Sequence, residues 1–172
     1  KTYDATSQSV AAFGSYQPKF QGRFNTSINY KGLHIGALFT FADQVTRYNN
    51  EDFFNENATF GTSNQSTLVL NRWRRAGDIT NVQRYGSTRQ FSSKDLQDAS
   101  YLRLRNFTFS YSLPKSLLQQ SGFIQRAQLI LQAQNLFTWT SWRGFDPEDN
   151  NSIATFEYPN ARTYTFGLNL NF

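Results

Sequence analysis

The sequence predicts an all-β chain forming the last five antiparallel strands of a transmembrane β-barrel, and three observations carry that prediction. The first is the segment TYTFGLNLNF at Thr163–Phe172. It sets Tyr164, Phe166, Leu168, Leu170 and Phe172 on one face and Thr163, Thr165, Gly167, Asn169 and Asn171 on the other. A period of two belongs to a strand, because a helix would spread the same apolar set around its axis. The second is strand length. The alternating runs reach about 10–13 residues against about 5–6 in ordinary soluble sheets. Eleven residues at about 3.3 Å each, tilted near 40°, rise roughly 27 Å, enough to cross the apolar band of a bilayer. The third is the alternation of short and long connections, as in outer-membrane barrels.

Taken in order, the first strand covers about 19–30, with Phe20, Gly22, Phe24, Thr26, Ile28 and Tyr30 opposite Gln21, Arg23, Asn25, Ser27 and Asn29. Lys31-Gly32 makes a tight turn into a second strand at about 33–45, where Leu33, Ile35, Ala37, Phe39 and Phe41 alternate with His34, Gly36, Leu38, Thr40 and Ala42. The third covers about 101–113 and stops before Pro114, which has no N–H for a ladder. Within it Phe107, Phe109, Tyr111 and Leu113 alternate with Asn106, Thr108, Ser110 and Ser112. A fourth at about 124–137 sets Ala127, Leu129, Leu131 and Ala133 against Gln128, Ile130, Gln132 and Gln134, and the fifth covers about 162–172. Long connections at about 46–100 and 138–161 are expected outside the cell, and the short turns in the periplasm. Five strands do not close a barrel, which takes at least about eight. The rest of the wall is expected from a longer polypeptide, whose N-terminal plug this chain does not contain. Cleavage in an outer loop would account for a start at Lys1 without a signal peptide, and predicts a larger co-purifying piece.

Composition agrees. Phe (17), Tyr (9) and Trp (3) are plentiful while mean hydropathy is −0.60, which suits strands with one apolar and one wet face. The absence of Cys excludes a disulfide framework, a thiolate metal site and a Cys nucleophile. No run approaches the roughly 18 apolar residues of a membrane helix. The net charge of +5 comes from scattered basic residues, without the continuous basic face that nucleic acid demands.

Four segments, in order, carry a resemblance: NRWRRAGDITNVQRYG (Asn71–Gly86), YLRLRNFTFSYSLP (Tyr101–Pro114), AQNLFTWTSWRGFDPE (Ala133–Glu148) and YPNARTYTFGLNLNF (Tyr158–Phe172). The early PKFQGRFNTSINYKGL (Pro18–Leu33) also fits. Together they resemble the C-terminal part of the SusC/RagA family of TonB-dependent transporters from Bacteroidetes. One departure is Gln83, where the family favours Pro before the residue here numbered Arg84. The resemblance implies a 22-strand barrel with a plug, uptake of oligosaccharides or peptides driven by the TonB complex, and a SusD-like surface lipoprotein acting as a lid. It implies neither an enzyme nor a cofactor.

Candidate sites follow from residue type and position. Phe172, Leu170, Leu168, Phe166 and Tyr164 form a terminal aromatic with apolar residues at every second place before it, which resembles a barrel-assembly signal; the plainer reading is a lipid-facing strand. Arg72, Trp73, Arg74 and Arg84, with Arg75 and Asp78 among them, suit stacking on a sugar or holding acidic groups. Packing on neighbouring loops or on a lid is the alternative, and Trp142 joins them as a possible loop contact. Trp139, Trp142 and Tyr101 also fit an aromatic girdle at the headgroup level. From Asp146, oxygen-bearing side chains fall at the spacing of a calcium loop (Asp146, Glu148, Asn150, Glu157), but Asn151 stands where such a loop requires Gly. The lone His34 sits on the wet face and supports no catalytic dyad. A passive porin or adhesin barrel and a soluble all-β carbohydrate-binding module are the competing functions.

Overall fold

The structure, a computed structural model, describes residues 13–56, 64–87, 89–119, 122–149 and 151–172. Its strands in chain order are β1 (Phe20–Tyr30), β2 (Leu33–Asp43), β3 (Thr46–Asn49), β4 (Leu96–Asp98), β5 (Tyr101–Ser112), β6 (Arg126–Thr140), β7 (Ile153–Ala154) and β8 (Thr163–Asn171). Five of them make one antiparallel sheet in the order β1-β2-β5-β6-β8. This is the fold class that the alternation predicts.

Register turns the alternation of single strands into two continuous faces. Ile28 pairs with Ile35, Ile35 with Phe109, Phe109 with Leu131 and Leu131 with Phe166, so an apolar row crosses the whole sheet. One residue along, Ser27, Gly36, Thr108, Gln132 and Thr165 form the matching polar row. A slip of one residue in any pair would exchange these faces, so the pattern itself fixes the register. Among the described residues nothing covers the outer rows of the apolar face: Phe166 is 80% exposed and Leu168 57%. No core among the described residues covers this face, and a bilayer is its natural solvent.

The β1–β2 turn takes Lys31 at φ 45° and Gly32 at φ 84°, the two positive values a tight two-residue hairpin requires. Gly32 also accepts a backbone hydrogen bond from Ser112 at 2.8 Å, and a Cβ at Gly32 would stand 2.9 Å from the Ser112 carbonyl oxygen. The opening of β5 shows why its pattern looks broken in sequence. Leu102 and Leu104 lie on the apolar face with Phe107 and Phe109, although the two pairs are out of phase. A bulge at Arg105 absorbs the extra residue: β2 pairs Leu38 with Asn106 and Phe39 with Leu104, leaving Arg105 unpaired. On the other side, Asn135 and Leu136 of β6 oppose Arg105, and Asn135 takes φ 53°. Such bulges re-aim a side chain and sharpen the local twist. β6 also runs on to Thr140, three residues beyond its expected end.

The long connections hold structure of their own. β3 pairs antiparallel with β4 and parallel with β7, so a second sheet in the order β4-β3-β7 joins the two connections. A short helix, α1 (Asn50–Asn55), follows β3 and is capped by the Asn49 side chain, which accepts from the Asp52 N–H at 2.9 Å. Ala42, Val45, Ala99, Trp142 and Ala154, with Tyr101 against them, form a small apolar core where these connections meet the polar face of the main sheet. A second short helix, α2 (Lys115–Leu118), follows Pro114 in the link from β5 to β6.

Candidate functional site

The densest buried charged network of the described residues lies at the junction where the sheet and the long connections meet. Arg103 lies in β5 between Leu102 and Leu104, and pairs in register with Thr40 and Thr138; it therefore belongs to the polar face. It is only 2% exposed, and an isolated buried guanidinium would be very costly. The connection after β6 supplies its counter-charges. Arg103 Nη2 donates to Asp146 Oδ1, and Nη1 lies 3.2 Å from Glu148 Oε2. Arg105, set apart by the bulge, pairs with Glu148 and donates to Asn135 Oδ1 at 3.1 Å. The far limb of the same connection closes the network. The Asn160 N–H donates to Asp146 at 2.8 Å, and the Asn135 amide donates to the Ala161 carbonyl at 2.9 Å.

The first long connection adds a third arginine. Arg47 of β3 is 1% exposed; it pairs with Asp149, donates through Nε to the Asn151 carbonyl at 2.7 Å, and lies under the Trp142 indole at 5.1 Å. Glu51 of α1 is also buried and accepts the Phe145 N–H at 3.1 Å. Burial pushes its carboxyl above the usual range, against the lowering effect of the Phe145 and Phe156 amides. At Asp146 burial pulls the same way, but the Arg103 guanidinium and the Asn160 and Glu148 amides outweigh it and hold the carboxyl below its usual value. A separate buried network joins Arg89 to Asp95 and to Glu56, with Lys94 on Glu56, and ties α1 to the 93–95 turn. Burial, first among the causes at Asp95, leaves its carboxyl raised. These groups are spent on one another. The arrangement can hold chain segments in place and present a charged, aromatic-rimmed surface.

The site residues expected from sequence are distributed differently. Arg72 and Trp73 are half-buried while Arg74 and Arg84 are exposed. Arg72 and Arg74 donate to the carbonyls of Val69 and Leu70, and Asp78 accepts the N–H groups of Arg74 and Arg75, which lower its pKa. Trp142 requires a correction: it is 6% exposed and packed against Arg47, so it offers no free face as a loop contact or as part of a girdle. Tyr101 lies beneath Arg103, whereas Trp139 is exposed on the apolar face beside Phe137 and Phe39. Of the calcium-spaced residues, Asp146 and Glu148 face arginines, while Glu157 is held down to about 2 by the Thr155 hydroxyl and amide. Asn150 falls outside the described residues. His34 contacts Asn29 Oδ1 at 2.6 Å on the polar face. Tyr164, Phe166, Leu168, Leu170 and Phe172 are all exposed along one edge of the sheet.

Arg47, Arg103, Arg105 and Glu51 are the residues that sequence reasoning missed. A signal existed for two of them: Arg103 and Arg105 interrupt a membrane-length strand and demand acidic partners, and Asp146-Pro147-Glu148 is the nearest acidic run downstream of it. Nothing local marks Arg47.

No family model matches the chain. Among curated proteins it is similar to TonB-dependent receptor P3 of Formosa agariphila, 31% identical over 92% of this chain, and to TonB-dependent receptor SusC of Bacteroides thetaiotaomicron, 32% identical over 45% of it. Among solved structures, the RagAB peptide importer in its closed-closed state matches 99% of this chain at a TM-score of 0.82 and 33% identity. A further structure of the RagAB peptide transporter matches 92% of it at 0.81 and 35%. The chain spans 17% of the Formosa receptor and 20% of the closed-closed RagAB chain. With its five-stranded sheet of one apolar and one polar face, the chain belongs to the SusC/RagA family of TonB-dependent outer-membrane receptors, as a piece of their β-barrel wall.

Proposed function

We propose that this chain forms part of an active outer-membrane importer of oligosaccharides or peptides, energised through the TonB complex and working with a SusD-like surface lipoprotein as lid. The observation that carries the reading is the likeness, over nearly the whole chain, to TonB-dependent receptors and to a peptide importer. The RagAB likeness favours peptides as the cargo class. A plug, the TonB-contacting segment and the remaining wall belong to the longer protein. In this reading the apolar face meets lipid, the polar face lines the lumen, and the long connections stand at the outer mouth.

Two further roles follow. The 70–86 segment, with Arg74, Arg84, Leu70, Ile79 and Tyr85 exposed and Arg72 and Trp73 half-buried, suits contact with the lid or with cargo. Phe172, Leu170, Leu168, Phe166 and Tyr164 serve as the signal read during barrel assembly. Uptake of labelled peptides and of labelled oligosaccharides by cells carrying the intact transporter, with and without TonB, tests the function. Uptake of one class that vanishes without TonB is the expected result. TonB-independent uptake would point to a passive porin, and uptake of neither class would reject the importer.

A further inference from the structure

The connection between β6 and β8 is held in a way that an outward-projecting loop would not need. Its carboxylates Asp146 and Glu148 reach Arg103 and Arg105, which sit on β5 itself. Arg103 belongs to the polar face by register, two residues in from the start of β5, and Arg105 lies two residues further along. At about 3.3 Å per residue, these anchors lie roughly 7 and 13 Å inside the end of the strand. At that same end of the polar face Ala42 and Arg103 are buried and the Thr40 hydroxyl is shielded, while further along β5 Ser110 is buried as well. Across β8 the polar residues Thr163, Thr165, Asn169 and Asn171 stay exposed.

We infer that residues 143–149 and 151–161 fold inward as a fixed shelf across the polar face at the mouth of the barrel, pinned by Arg103 and Arg105, and narrow the lumen there. Both limbs are tied down, the first through Asp146 and Glu148 and the second through Asn160 and Ala161. The bulge at Arg105 matters because it sets that residue apart from the regular pairing, within reach of both Glu148 and Asn135. Arg47 and Glu51 grip the shelf from the other connection, at Asp149 and Phe145. The inference rests on the polar face being the lumen, as proposed above. It adds that cargo passes an immobile edge made by this segment.

The test uses the intact transporter in outer-membrane vesicles, with spin labels on cysteines introduced at Phe145 and Gln132; the chain has no native Cys. Gln132 lies on the polar row, so the pair measures how the segment sits over that face. A single narrow distance distribution is expected in the otherwise unaltered protein. In the Arg103→Ala/Arg105→Ala variant it should broaden by at least about twofold as the segment is released. Heat-dependent gel migration reports separately that the barrel has formed, and uptake reports the importer function. A broad distribution in the unaltered transporter would overturn the shelf while leaving the barrel standing. So would a narrow distribution that survives loss of both arginines in a folded barrel.

Discussion

The Arg47 guanidinium lies 5.1 Å from the ring centroid of Trp142, and both side chains are buried where the two long connections meet. Each contact brings together residues about a hundred positions apart, since Arg47 also pairs with Asp149 and bonds the Asn151 carbonyl. Desolvated guanidinium–indole contacts contribute about 1–2 kcal/mol, but leaving one partner of a buried ion pair alone costs about 3–5 kcal/mol. The ion pair therefore dominates. Arg47→Ala should loosen residues 45–49 and 142–149 together while the five long strands keep their protection. Hydrogen exchange on the intact transporter in detergent reads this directly, and exchange changing in only one of the two segments would contradict the coupling.

Gly144 supplies a second check on the same packing. A Cβ there would stand 2.8 Å from Trp142 Cε2 and 2.9 Å from Glu51 Oε2. Gly144→Ala should cost about 1–3 kcal/mol through overpacking. Gly77 has φ +96° with nothing near its would-be Cβ, so Gly77→Ala carries backbone strain alone, about 1–2 kcal/mol. Hydrogen exchange should rise around Trp142 and Glu51 in the first variant and stay unchanged there in the second.

The junction should respond to pH from two sides. Glu51 is raised above its ordinary 4.5, so its contribution is fully present below that value and is lost as pH rises through the folded-state pKa. Asp146 is depressed below 3.8, so its contribution is present above that value and is lost as pH falls through its lower folded-state pKa. Opening of the junction should therefore become easier as pH climbs from about 4.5. Glu51→Gln should flatten that rise, and Asp146→Asn should remove the loss at the acid end. Exchange corrected for intrinsic rates measures both slopes; an unchanged alkaline slope in Glu51→Gln would show that another group is responsible.

The long strands were legible because lipid and water impose opposite demands on alternate residues. Tyr164, Phe166, Leu168 and Leu170 display that demand without interruption. The β5 opening was harder, since the Arg105 bulge breaks the phase between Leu104 and Phe107 and only the partners' register restores it. The structure inside the two long connections was not legible. β3 and β7 are four and two residues long and pair across about a hundred positions, so neither carries a period of its own. Trp142 was misread for the same reason: an aromatic after a membrane strand looks like a headgroup anchor until its partner, Arg47, is known. The arginine–carboxylate pairs depend on long-range convergence that spacing does not encode.

The most direct test of the barrel reading is an arginine scan along β8 in the intact transporter. Phe166→Arg and Leu168→Arg place a charge on the apolar face, at a cost of about 2–4 kcal/mol near the bilayer centre. Thr165→Arg and Asn169→Arg place it on the polar face, where the cost should be small. Denaturant unfolding of the protein folded into lipid vesicles should separate the two pairs by at least about 1–2 kcal/mol. Equal cost on both faces, or greater cost on the polar face, would contradict a lipid-facing Phe166 and the barrel with it.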